Sequence, residues 1–387
     1  MKNKILSFIL PIICGLTVAN MYYVQSIFPE VMHALDINYK STAMIYTMSL
    51  IGNACSLVFI APLGDFINRK KLISFLYIIL AIASIGASLS LNIYEMYVAA
   101  FFLGVGVAII PITISYLSKN KNFGLSYIGK IMSGVLLGAL ISRFLSSEFS
   151  TIWGWNSIYI FSFAVMLFSL IFVALMLPND QIEKTKETGY GKMLGSTFSL
   201  LISNSTVRKY SLYGFFVMAV FASFWNNISF SLFDDYHLTQ TNIGLFSLTG
   251  VAGASAAMFA SNILRKLNYD SISLFVLMFI SFAVLAVINY SLITLIIGSV
   301  VIDAMIQLIH VNNQTNMYKN CEGNESRAAS CYMTTFILGG VVGSKVSSIC
   351  YISYGWQGIC VMCACIAIIC LIPFKEKTTE NNIKLTH

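Results

Sequence analysis

In a chain with only 10% charged residues, one apolar stretch sets four polar side chains along a single helix face. Asp303, Gln307, His310 and Gln314 stand at i, i+4, i+7 and i+11. Asp303 is the one carboxylate deep inside an apolar run. About 12 residues at 1.5 Å each set it roughly 18 Å below the outer end of that run. A bilayer's hydrocarbon core is about 30 Å thick, so Asp303 is expected near the midplane. A carboxylate there either changes its proton occupancy between states or is held charged by a cation. In both cases it can couple protonation to conformation. The competing reading is a polar knot that only pins helices, but ionisable groups inside membrane segments are functional by default. His310, about 10 Å further along the helix, is a second relay candidate.

Arg143 is the next candidate. It can bind an anionic group of a substrate or balance Asp303, or it can snorkel to the outer interface, as Lys345 is expected to do. Thr17, Asn20 and Tyr23 follow one face of the first apolar run, with Tyr22 and Gln25 beside them. Trp225, Asn226 and Asn227 put an aromatic next to two amides. Aromatics with amides suit an amphipathic organic ligand, and helix-to-helix hydrogen bonding is the alternative for the Asn residues.

A different cluster marks a turn. Pro62-Leu-Gly-Asp-Phe-Ile-Asn-Arg-Lys-Lys71 packs Asp65, Arg69, Lys70 and Lys71 between two apolar stretches. Such charges cannot lie in hydrocarbon, and short cytoplasmic loops collect Lys and Arg. The turn is therefore expected on the cytoplasmic side. Asp65 is expected to cap the helix that follows, and Asn68 to take a left-handed conformation.

The elements that must position these groups follow from composition. Of the 387 residues, 57% are hydrophobic and 13% aromatic, and the mean hydropathy is +0.79. Soluble domains are about 45–50% apolar and about 25% charged, so this is a multi-pass membrane protein. The net charge of +7 reflects orienting loop cations and does not call for nucleic acid. Most of the nine cysteines lie in apolar runs, where the free thiol behaves as a small hydrophobe. Cys360, Cys363 and Cys365 have no second cluster to complete four ligands, so neither a metal nor another cofactor is expected. The first apolar run is too long for a signal peptide and stays as the first span.

Windows of about 20 apolar residues give twelve spans. They run approximately 6–31, 41–63, 72–90, 94–117, 128–149 and 156–177, then 210–233, 242–262, 272–289, 291–314, 328–351 and 357–374. Residues 1–177 and 210–387 form two six-helix units, the second with a short tail, joined by a polar linker at 178–209 with an amphipathic helix near Met193–Ile202. With both termini cytoplasmic, nearly all of the 23 Lys and Arg fall on the cytoplasmic side. Lys40, Arg143 and Lys345 are the exceptions. The two units also share a pattern. Met132-Ser-Gly-Val-Leu-Leu-Gly138 parallels Met333-Thr-Thr-Phe-Ile-Leu-Gly339, Ser146-Ser147 parallels Ser347-Ser348, and Gly154-Trp155 parallels Gly355-Trp356, all at an offset of 201. That reads as a duplicated unit about an axis along the membrane normal.

Over its whole length the sequence resembles the major facilitator superfamily. The 62–71 turn is similar to that superfamily's loop 2–3 motif, G-x-x-x-D-R-x-G-R-R/K-R/K, which Asp65, Arg69, Lys70 and Lys71 match. Ala19-Asn-Met-Tyr-Tyr-Val-Gln25, Met132–Gly138 with Arg143, His310-Val-Asn-Asn-Gln-Thr315 and Tyr332–Gly340 resemble the bacterial arabinose-efflux-permease-like, drug-efflux branch. Ala100 and Ile141-Ser142 depart from that branch's patterns in spans 4 and 5. The resemblance implies an all-α fold of twelve transmembrane helices in two pseudo-symmetric bundles. Spans 1, 4, 7 and 10 would line a central cavity, and the 62–71 turn would belong to a cytoplasmic gate. The implied activity is alternating-access transport in a bacterial inner membrane by a monomer, with proton-coupled efflux of a drug, metabolite or siderophore as the leading form. A proton-coupled importer or a uniporter is the alternative. A membrane enzyme or receptor is disfavoured, because no P-loop, metal cluster, Ser-His-Asp grouping or signalling domain is present. Reporter fusions at Lys40 and at Glu187 are expected to report opposite sides of the membrane; both on one side would overturn the topology.

Overall fold

Hydrocarbon offers no hydrogen-bond partners, so long apolar runs close their backbone bonds internally as helices. The computed structural model describes residues 2–119, 125–178, 189–267, 271–288, 291–319, 321 and 325–372. Among them the secondary structure is helical throughout. The first unit contains α1 (Lys2–Ala19), α2 (Tyr39–Phe59), α3 (Arg69–Ser88), α4 (Ile93–Gly106 continued by Ile109–Lys119), α5 (Leu125–Trp153) and α6 (Ser157–Met176). The second opens with α7 (Ser205–Asp234) and α8, which is Gln240–Phe246 and Val251–Leu267 joined by a 3-10 turn at Ser247–Gly250. Then come α9 (Ser271–Val287) and α10 (Leu292–Lys319). The last helix, Glu325–Leu371, turns sharply at Gly355 (φ 60°, ψ −153°) and is therefore two, α11 (325–354) and α12 (356–371). The fold is all-α, with twelve membrane-spanning helices in two pseudo-symmetric six-helix bundles.

Packing follows the same division. One buried core runs from Leu6 to Leu177 and borrows only Met218, Ala222, Phe230 and Ile337. A second runs from Tyr213 to Cys370. The backbone repeats as well. Its two non-glycine residues of positive φ among the described residues are Asp36 and His237, and its two positive-φ glycines are Gly154 and Gly355. Both pairs keep the offset of 201 found in the sequence. So do the helix caps Asn38, whose side chain accepts from Ser41 N, and Thr239, whose side chain accepts from Asn242 N. The Asp36 and His237 turns lie on one face of the membrane, the upper face here; the 62–71 turn lies on the lower face.

Three local expectations are corrected. Asn68, not Asp65, caps α3: its side chain accepts from Lys71 N at 3.0 Å, three residues on, where an N-cap oxygen reaches. Asn68 is also extended (φ −60°, ψ 115°) rather than left-handed, as an N-cap residue must be. The first span does not run unbroken from 6 to 31. Helix α1 ends at Ala19, and the chain turns before short helices at Tyr23–Ser26 and Phe28–Ala34. At that break the Asn20 amide donates to the Leu16 and Thr17 carbonyls, competing with the backbone ladder. Of the linker, residues 179–188 lie outside the described residues, as does the tail from 373. A linker helix, Tyr190–Ser203, stands where the amphipathic segment is expected.

Small residues let the helices touch backbone to backbone, since lipid supplies no hydrophobic drive between them. A Cβ at Gly138 would run into the backbone of Gly15 on α1, and one at Gly339 into the Phe215 carbonyl on α7. The α1–α5 contact thus recurs as α7–α11. Gly138→Val is expected to cost about 1–3 kcal/mol through overpacking, read as a lower midpoint of thermal unfolding in detergent. Gly86→Ala, where nothing lies within 4 Å of the added methyl, serves as the control expected to change little.

Candidate substrate and coupling site

Between the bundles, below the upper-face turns, lies a compact polar cluster. Arg143 of α5 and Asp303 of α10 are 2% and 4% exposed. They do not form a direct ion pair: among the described residues no carboxylate oxygen lies within 4.0 Å of the guanidinium. Trp225 of α7 stands between them. Its Nε1–H donates to Asp303 Oδ1 at 3.1 Å, and its ring lies 4.1 Å from the guanidinium carbon. Tyr22 and Phe221 add rings at 5.0 and 5.7 Å. Arg143 Nε donates to Gln25 Oε1 at 2.7 Å, while its Nη2 has no protein partner. On the far side of Asp303, Gly250 and Gly253 of α8 leave room for its carboxylate, and a Cβ at Gly253 would sit 2.8 Å from Oδ2. The site can therefore hold a cation and an acid apart, with an indole touching both.

The stripe below Asp303 on α10 is less enclosed. Gln307, His310 and Gln314 are half-buried. His310 Nδ1 meets the Tyr332 hydroxyl at 2.9 Å, and the Gln314 amide lies 3.4 Å from His310 Nε2. This second cluster joins α10 to α11 rather than the two bundles.

Other candidates lie elsewhere. Asn20 takes a hydrogen bond from Ser162 on α6, and Tyr23 packs edge-on against Tyr159, so both are used inside the first bundle. Asn226 reaches Ser344 O and Ser348 Oγ on α11, and Asn227 reaches Ser347 Oγ, so both tie α7 to α11. Lys345 donates to Met44 Sδ on α2. Sequence reasoning missed Phe221 and the upper-face seam, although the repeat carried a signal for the seam. Tyr39 donates to Asn227 across the bundles and stacks on Tyr351. At the position 201 further on, Gln240 Nε2 donates to Ser26 O at 2.7 Å. Ser26 and Asn227 are themselves related by the same offset. Ser229 Oγ to Gln25 O (2.5 Å), Thr47 Oγ1 to Ser344 Oγ (2.7 Å) and the Phe28–Phe230 stack also cross between the bundles.

A cleft of about 1090 Å³ between α1 and α5 is a different feature. Its walls include Phe8, Ile12, Leu137 and Ile141, all exposed and apolar, with Lys130 at one end. Ile141 and Arg143 are two residues apart and so about 200° apart around α5. The cleft thus lies on the other side of α5 from the charged cluster, where apolar exposure means lipid.

In the 62–71 turn, Asp65 and Arg69 pair at 3.1 Å, Lys70 is half-buried and Lys71 exposed. The linker helix docks here. Tyr190 donates to Phe59 O at 2.6 Å and meets the Phe66 ring edge-on. Its other end, through Leu200 and Leu201, packs on a lower-face cluster of the second bundle around Val207, Cys331 and Tyr332.

The family profile described as Major Facilitator Superfamily matches residues 12–318. The chain belongs to the major facilitator superfamily. A relative in Escherichia coli O157:H7, "Uncharacterized transporter YgaY", is 31% identical over 371 residues, covering 94% of this chain and 93% of that protein. The "Inner membrane transport protein YnfM" of Escherichia coli K12 is 21% identical, covering 92% and 86%. Among solved structures, the nucleoside transporter NupG superposes with a TM-score of 0.73 at 14% identity, covering 95% and 97%. A POT family transporter in complex with a thioalcohol-conjugated peptide gives 0.74 at 13% identity, covering 94% of each chain. These likenesses establish the fold. The protein is a membrane transporter of this superfamily, and its upper-face seam joins the two bundles. On a cysteine-depleted background, Thr47→Cys with Ser344→Cys is expected to cross-link on oxidation and stop transport reversibly. Full activity of the cross-linked protein would show that the seam does not open.

Proposed function

We propose that the protein is a proton-coupled exporter of a small organic molecule, of the arabinose-efflux-permease-like branch, and that Asp303 carries the coupling proton. The observation behind this reading is the Trp225–Asp303 hydrogen bond. A bond to a carboxylate is roughly twice as strong as one to a neutral acceptor. Protonating Asp303 would weaken the tie between α7 and α10 and release the indole that covers Arg143. Proton occupancy and the packing of the two bundles would then be linked through one ring. Gln307, on the same stripe and half-buried, would face the solute path; His310 and Gln314 would lie towards its lower mouth.

In this reading the lower face is cytoplasmic in a bacterial inner membrane, as the Lys and Arg distribution supports. Residues 1–177 and 210–387 would be the moving units, the first carrying α1–α6 and the second α7–α12, with 178–209 as their connection. The Asp65–Arg69 pair with Lys70 and Lys71 would belong to the cytoplasmic gate, supported by the linker helix that ties this turn to the second bundle. Protons and the solute are the partners, and the working unit is one chain in the bilayer.

The test is flux in proteoliposomes under an imposed proton gradient. Asp303→Asn is expected to abolish gradient-driven transport while leaving the fold intact by thermal unfolding. Driven flux at the wild-type rate would overturn the coupling role. Comparing everted with right-side-out vesicles gives the direction, and uptake only in right-side-out vesicles would overturn export.

A further inference from the structure

A guanidinium is expensive to bury, and buried charges are ordinarily paired. Arg143 is 2% exposed, yet among the described residues it has no carboxylate within 4.0 Å. Its Nε is used by Gln25, and its Nη2 meets no acceptor. Asp303 acts on this cation only across the indole and makes no direct contact with it, because its carboxylate is turned to Trp225 Nε1 and against the α8 glycines. Tyr22, Phe221 and Trp225 surround the cation with ring faces. Rings attract a cation by about 0.5–2 kcal/mol each but leave its hydrogen-bond donors unmet. Of the three, Tyr22 and Phe221 are only half-buried.

We infer that the transported solute is an organic carboxylate with an apolar, preferably aromatic, body. Its carboxylate takes Arg143 Nη2 as donor and supplies the directly bonded anion that the guanidinium lacks. Its body lies on the Tyr22 and Phe221 rings. An Arg fork fits a carboxylate in geometry as well as charge, which a lysine ammonium does not. The partition of charge suits export driven by a proton gradient: the anion sits on the first bundle's cation while the second bundle's acid keeps its own proton site. This substrate class rests on the transporter reading, and its test is a binding experiment, so the two can fail separately.

The purified protein is titrated with matched pairs that differ only at the head group: benzoate and benzamide, 3-phenylpropionate and its amide, octanoate and octanamide. Binding is read by thermal shift and by tryptophan fluorescence. The expected result is binding of at least one acid with a preference of about tenfold or more over its amide. That preference should disappear in Arg143→Gln and be partly kept in Arg143→Lys. Equal affinity for acid and amide in the wild type, or no binding by any acid, overturns the inference whether or not the variants fold. So does an acid preference that survives in Arg143→Gln. Acid binding through Arg143 without flux in proteoliposomes would leave the anion site standing and overturn the transport reading instead.

Discussion

Trp225 is the contact on which the two bundles' charges meet. Its ring face covers a cation from the first bundle, and its Nε1–H holds an acid from the second. A direct ion pair at this depth would be strongly coupled and costly to separate, because little solvent replaces a lost partner. An indole between the charges weakens that coupling. It also gives each bundle a handle on the other, since moving the ring alters both contacts. The glycines at 250 and 253 matter for the same reason: they let α8 close on Asp303 without pushing it off the indole.

The duplication explains why this arrangement is asymmetric. Gln25 and Ser26 meet Arg143 and Ser146 in the first unit, and Asn226 and Asn227 meet Ser344 and Ser347 at the equivalent places in the second. The backbone register is kept, while the charge is not. Where the first unit has Arg143, the second has Ser344, and the polar groups there hold α7 to α11 and reach Thr47 and Tyr39 of the first bundle. Two copies of one helix contact have therefore diverged, one into a structural clasp and the other into a site with a spare donor.

Much of the fold was legible in the sequence because hydrocarbon imposes few solutions. Apolar length fixes the number of spans, loop cations suggest orientation, and the 201 offset announces the duplication before any contact is known. The site was legible only in part. Asp303 and Arg143 stand out because ionisable residues are rare in such spans, and Gln25 and Trp225 because they are polar or amphipathic nearby. Helix rotation was not legible. Thr17, Asn20 and Tyr23 share a spacing that suggests one surface with Gln25 beside it, but past the break after Ala19 Gln25 meets Arg143 of α5 while Asn20 and Tyr23 meet α6. The same limit applied to Asp65 and Asn68: both can cap a helix, and only the position of the first turn of α3 decides between them.

The upper-face seam is held by weak polar contacts. Its cross-bundle contacts are hydroxyls and amides, Ser229, Gln240, Tyr39 and Thr47, with a few stacked rings. Hydrogen bonds between membrane helices contribute about 0.6 kcal/mol each on average, because the separated groups find other partners. A handful of them outweighs thermal motion without approaching the stability of a bundle core. A state difference of a few kcal/mol is what binding a ligand or a proton can reverse. The bundles themselves are held otherwise, by backbone contacts at glycine and by large buried aromatic cores that no ligand has to disturb. Strength inside the bundles and weakness between them is the condition under which two rigid units can rock about a fixed central site.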